Sequence, residues 1–172
     1  MKHVAFTEEV TQDSIEFLIQ CIDSTAQDER TCVWIQSPGG EIFPALRFVD
    51  YLNQMTERGF KIDTCMTGFC ASAATIMACC GSTRYMTPNA WAMLHEPFVG
   101  MAGSHTHVRS RQKHFESLYQ QLLGIYQESI ARSGKHVERD RLEELLKNEA
   151  WLSAEQYFEL GLIDAIGCPD GK

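Results

Sequence analysis

The chain has 172 residues, 44% apolar and 22% charged, enough for one domain with a real core. Its formal net charge of −8 argues against nucleic acid, whose phosphates demand a basic patch. No apolar run reaches the roughly 18 residues needed to span a bilayer, which argues against a membrane partner.

Residues 4–10 predict a strand. Residues 13–27 predict a helix with Ile15, Leu18, Ile19 and Ile22 on one face, capped by Asp13 or Ser14. Residues 31–36 form a β-branched and aromatic run that ends in the turn Ser37-Pro38-Gly39-Gly40. An amphipathic helix follows over 41–55, with Ala45, Phe48, Val49 and Leu52 inward, and a third strand over 60–68. Residues 72–80 are small and apolar almost all round, so they predict a buried helix. Residues 83–97 predict two short strands around Thr87-Pro88-Asn89.

From 106 to 132 the pattern becomes long, helical and polar, with one stripe of Phe115, Leu118, Leu122, Ile125 and Tyr126. Such a helix needs a partner surface, which another subunit could supply. A glycine stop, two further helices and a terminal strand fill residues 133–167. Strands alternating with helices predict a parallel α/β sheet, here in a single domain over 1–172. The start "MKHVAFTEEV" lacks the apolar core of a secretory signal. The seven cysteines are odd in number and contain no C-x-x-C pair. They read as buried apolar side chains in a reducing cytoplasm, not as a disulfide frame or a zinc site.

Three segments carry groups able to do chemistry. Ser72 follows a glycine turn and opens a buried helix, where free N–H groups and the positive dipole end favour an oxyanion. The surrounding "GFCASAA" is not the G-x-S-x-G elbow of α/β-hydrolases, and a serine in such a helix is more often simple packing. His95 lies where a strand meets a Pro-containing loop, and histidine is the usual base for a serine. His105-x-His107 invites a metal, but no nearby Cys, Asp or Glu completes a ligand set. The two glycines of the Ser37–Gly40 turn permit φ > 0, which serves a tight turn or an inward-facing N–H. Phosphate-loop spacings are absent. A triad also needs an acid, and spacing cannot choose one among 23.

Together these segments resemble the ClpP family, the proteolytic subunit of the Clp protease, collinearly over residues 4–167. The resemblance rests on Ile35-Gln36-Ser37-Pro38-Gly39-Gly40, on Gly68 through Ala74, on Thr87-Pro88-Asn89 with Met93-Leu94-His95-Glu96-Pro97, and on Ser153-Ala154-Glu155-Gln156 through Asp164. It implies a ClpP/crotonase-like fold of stacked βαβ units with a protruding handle helix at about 106–132. Ser72 would be the nucleophile and His95 the general base. Gly39 and Ala73 would supply the oxyanion N–H groups, with Ala73 in place of the family's usual methionine. Gly40 and Pro97 would line the substrate. Glu149 falls where the family has its aspartate, with Asn148 and Asp164 as alternatives.

The resemblance further implies peptide or protein substrates, no cofactor or metal, and a homo-oligomeric ring, with rings stacked through the handle. Because the N-terminal segment before the first strand is short, an AAA+ unfoldase is expected to engage unusually, and some short relatives of this kind are phage or prophage proteins. Two other readings stand beside the serine endopeptidase: a catalytically inactive ClpP-like subunit and a crotonase-type acyl-CoA enzyme.

Overall fold

The computed structural model describes residues 1–24, 30–98, 100 and 102–169. In chain order the elements are β1 (Lys2–Phe6), α1 (Gln12–Asp23), β2 (Thr31–Ser37), α2 (Ile42–Glu57), β3 (Ile62–Ala71), α3 (Ala73–Ala78), β4 (Arg84–Met86), β5 (Trp91–Leu94), α4 (His105–Arg132), α5 (Arg139–Lys147), β6 (Ala150–Ser153), α6 (Ala154–Leu160) and β7 (Ala165–Ile166). Strands β1, β2, β3, β4 and β7 pair in that order, all parallel.

The sequence predicts most of these elements, with local differences that have physical causes. The first strand begins at Lys2 and stops at Phe6, and Val10 makes only an isolated bridge to Gly40. The cap of α1 is Thr11, not Asp13 or Ser14. Thr11 Oγ1 accepts from the Ser14 N–H (3.2 Å), and Ser14 Oγ accepts from the Thr11 N–H (2.9 Å), a reciprocal capping box. The end of the predicted first helix, residues 25–27, lies outside the described residues.

Strand β3 runs on past Gly68 to Ala71. Its register against β2 jumps from Ile35↔Met66 to Ser37↔Cys70, so β3 carries two extra residues there. Gly68 sits in this bulge at φ 56°, and a Cβ on it would stand 2.7 Å from Gln36 Oε1. The bulge divides β3 between two partners. Residues 64–66 pair with β4, and residues 69–71 pair with β5. Strand β6, absent from the sequence reading, pairs antiparallel with β5 and is the one exception to a parallel sheet.

Helix α4 is half anchored. Its buried residues, Leu118, Leu122, Leu123, Tyr126, Ser129 and Ile130, all lie at its midpoint or beyond. Phe115 and Ile125 of the predicted stripe are only partly buried, and the first turns stand in solvent.

The anchor includes a polar knot. Arg84 is 0% exposed. It donates from Nη1 to the carbonyls of Ser129 (2.6 Å) and Gly161 (3.2 Å), and from Nη2 and Nε to Asp164 (2.5 and 3.0 Å). One guanidinium therefore ties α4, the end of α6 and the approach to β7 onto β4. Burial pushes the Asp164 carboxyl up, but hydrogen bonds from Arg84 outweigh it and hold it below its ordinary value. Its stabilising contribution is complete above the unfolded value near ~3.9 and fades as pH falls through the lower folded value. Removing one partner of a buried pair costs about 3–5 kcal/mol. Arg84→Ala should lose about that much in urea unfolding, and Asp164→Asn should flatten the acid limb of the stability–pH curve.

Candidate active site

The ends of three adjacent strands bring the candidate residues together. Ser72 follows the last residue of β3, His95 the last of β5, and Glu149 precedes the first of β6. The Ser72 N–H donates to the Met93 carbonyl (2.9 Å), continuing the β3–β5 pairing. The β5–β6 ladder ends at Leu94↔Ala150, so His95 and Glu149 stand one step beyond it, opposite each other.

Ser72 is held in a conformation that few non-glycine residues adopt, φ 58° and ψ −131°. Strain of this kind costs about 1–3 kcal/mol and persists only where packing enforces it. Here the carbonyl of Ser72 accepts from the Thr75 N–H (2.9 Å) and from Thr75 Oγ1 (2.6 Å), and Thr75 Oγ1 in turn meets the Tyr126 hydroxyl of α4 (2.7 Å). The result aims Ser72 Oγ at His95 Nε2, 2.5 Å away.

The glycine turn closes over the same point. Gly39 has φ 88°, and a Cβ on it would lie 2.5 Å from the Ala71 carbonyl, 2.6 Å from Ser72 Cβ and 3.0 Å from the Ala73 nitrogen. Only glycine can approach so closely. The Gly39 N–H donates to Ser37 Oγ (3.1 Å). Gly40 differs. Its flanking groups pair with Val10, through the Gly39 carbonyl and the Glu41 N–H (2.8 Å each). In a parallel bridge this turns the N–H of Gly40 itself to the other side. Gly40 and Ala73 both line a cavity of about 500 Å³ that contains Ser72, His95 and Pro97. Ala73 is the first residue of α3, so its N–H has no acceptor within the helix.

Of the three candidates for the third triad position, Glu149 is the one that lines a cavity with His95. It is exposed, sits in the left-handed region at φ 50°, and shares with His95 a cavity of about 270 Å³. Among the described residues no hydrogen bond joins the two. Asn148 caps the end of α5 and is exposed. Asp164 is held by Arg84 and lies outside the site. Burial, then the Glu96 carboxylate, push the Tyr119 phenol up to about 12, so it stays protonated and donates to Glu96 (3.4 Å). Among the described residues no group of three His, Cys, Asp or Glu could hold a metal, and His105 and His107 are exposed on α4. Sequence reasoning missed Phe43, Arg111 and His114, which also line the larger cavity. The spacing 111, 114/115, 118 on the α4 stripe was the available signal.

A strained serine at a strand–helix junction, hydrogen-bonded to a histidine beside spare backbone N–H groups, is the equipment of a serine-type hydrolase. Residues 2–169 match the Clp protease family model. Similar proteins include the ATP-dependent Clp protease proteolytic subunit 1 of Chlamydia muridarum, 24% identical over 96% of this chain and 85% of its own length. The ATP-dependent Clp protease proteolytic subunits of Porphyromonas gingivalis (25%, covering 92% and 69%) and Streptococcus pyogenes serotype M5 (26%, covering 84% and 72%) are similar as well. The chain belongs to the Clp protease family, whose chemistry is serine-type peptide hydrolysis, and the acyl-CoA reading is thereby set aside.

Gly39→Ala should cost about 1–3 kcal/mol of stability through backbone strain alone. It should also abolish labelling of Ser72 by a fluorophosphonate, as read by intact-mass spectrometry, because its Cβ would displace the nucleophile.

Proposed function

We propose that this chain is an endopeptidase in which Ser72, His95 and Glu149 form the catalytic triad. The observation that carries the proposal is the 2.5 Å contact between Ser72 Oγ and His95 Nε2, made by a serine held at φ 58°. His95 Nε2 takes the Ser72 proton as Oγ attacks the scissile carbonyl, and returns it to the leaving amine. The N–H groups of Gly40 and Ala73 stabilise the oxyanion, with Gly39 supplying the close approach and not the hydrogen bond. Water then releases the acyl group by the same base. Glu149 accepts from His95 Nδ1–H and fixes its tautomer, a role that needs its side chain to swing across the shared cavity.

Assembly into a closed ring, with rings meeting through α4, is supported by two apolar or unpartnered surfaces. The first turns of α4 are almost wholly exposed, with only the stacking of Phe43 on His114 beside them. Phe69, Trp91 and Trp151 (37%, 48% and 53% exposed) lie on one face of the β3–β5–β6 sheet by register. The seven free thiols support a reducing compartment such as the cytoplasm. The relatives are named ATP-dependent, which supports an unfoldase as the partner that delivers substrate. Adding a Clp ATPase and following degradation of a folded protein tests whether it engages this chain.

The missing His95–Glu149 hydrogen bond favours a second reading, a non-catalytic subunit. Fluorophosphonate labelling combined with native mass spectrometry separates the two. Ser72 labelled within a large ring supports the peptidase, and an assembled but unlabelled ring supports the inactive subunit. Ser72→Ala should lower peptide hydrolysis by roughly 10⁴- to 10⁶-fold, and Glu149→Gln by roughly 10³- to 10⁴-fold with the assembly intact.

A further inference from the structure

The cleft that holds Ser72 and His95 extends along α4, and its far wall is charged. Helical spacing puts Arg111, His114, Phe115 and Leu118 on one side of α4, and all four line the cavity of about 500 Å³. Phe43 of α2 stacks on His114 across the cleft, with ring centroids 6.4 Å apart and planes 15° apart, so the wall is closed over an apolar floor. Residues 97–115 contain no acid, while Arg109, Arg111, Lys113 and three histidines fall there, in a chain of net charge −8. The nearest carboxylate on the same helix is Glu116, just beyond the stretch, and it accepts from Gln120 Nε2 (2.7 Å).

The one acid in the cavity wall is Glu41. It is the N-cap of the 16-residue α2, where the helix's positive end offsets its charge. Arg111 forms no ion pair with a described residue. The cleft thus offers a substrate one cation, Arg111, that is not already held in an ion pair.

The position of Arg111 sets a distance. Leu122, on the same stripe, lines a smaller cavity together with Ser72 and His95. Arg111 lies eleven residues back along α4, about 16 Å at the helical rise. Helical side chains lean towards the N-terminus, so the guanidinium lies at that distance or a few ångströms beyond it. An extended peptide advances about 3.3 Å per residue, so the guanidinium meets a side chain roughly five to seven residues from the scissile bond.

We propose that the cleft selects peptides carrying Asp or Glu about five to seven residues from the scissile bond, recognised by Arg111 with His114. This rests on the reading of Ser72 and His95 as the peptidase centre. Arg111 is a specificity residue: it binds the substrate and takes no part in the bond-breaking step.

The test uses the full-length Ser72→Ala protein and fluorescent peptides of one apolar sequence, with Asp, Asn or Lys placed in turn at each position. Fluorescence anisotropy should show the best-placed Asp peptide binding about fivefold tighter than its Asn counterpart, the scale of a partly exposed ion pair. Arg111→Gln should bring the ratio to unity, Arg111→Lys should keep part of it, and Arg111→Glu should reverse it towards the Lys peptide. Equal binding of Asp and Asn peptides, or a preference that survives Arg111→Gln, would overturn the proposal. Fluorophosphonate labelling of the Ser72 protein reads the peptidase centre separately. Labelling without acid preference would sink only the selectivity, and acid preference without labelling would sink only the catalysis.

Discussion

The site depends on β3 having to serve two partner strands along one edge. A straight β3 would carry one partner along its whole length on that side. The two-residue register jump at Gly68 bends it, hands its first half to β4 and its second half to β5. Because β5 is brought against the end of β3, the chain after β5 emerges beside the chain after β3. That is why a residue at 95 can touch one at 72. The antiparallel return of β6 then adds the third strand end, with Glu149 opposite His95. Ser72, His95 and Glu149, from distant parts of the chain, converge without any of them belonging to a long loop.

The nucleophile's strain is maintained by packing on both sides of it. In front, Gly39 presses its bare Cα against Ser72 and Ala73. Behind, Thr75 holds the Ser72 carbonyl and is itself held by Tyr126. Tyr126 belongs to the anchored half of α4, which Arg84 fastens to the sheet through Ser129. The chain of contacts from Arg84 to Ser72 is continuous, so the polar knot at the base of α4 and the geometry of the serine are parts of one rigid body. The free half of the same helix does different work, since it walls the cleft and carries its charge.

Much of this was legible in the sequence because periodicity and glycine turns report on local geometry. The buried helix after Ser72, the turn at 37–40 and the stripe of α4 follow from side-chain spacing alone. The family resemblance then linked Ser72 to His95, a contact spanning 23 positions that no local pattern encodes. What stayed hidden was pairing. Strand β6 is four residues long with one buried position, too short to announce itself by alternation. The choice between Gly39 and Gly40 was equally invisible, since it turns on which amide Ser37 Oγ captures and which the Val10 bridge rotates away. Asp164 looked like a possible triad acid only because sequence cannot show that Arg84 already holds it.

In the triad proposed above, a glutamate at 149 differs from an aspartate in two ways that act together. The extra methylene lengthens the reach of the carboxylate. The left-handed backbone at φ 50° turns the side chain off the line of β6, and a cavity of about 270 Å³ lies between it and His95. A longer side chain leaving the strand at a different angle has room to bring its carboxylate back to Nδ1 by rotation of its own torsions. An aspartate placed on the same backbone would have one torsion fewer with which to cross that space. In the proposed triad the side-chain length and the left-handed backbone therefore act as a pair, the one setting the reach of the carboxylate and the other the direction from which it approaches His95.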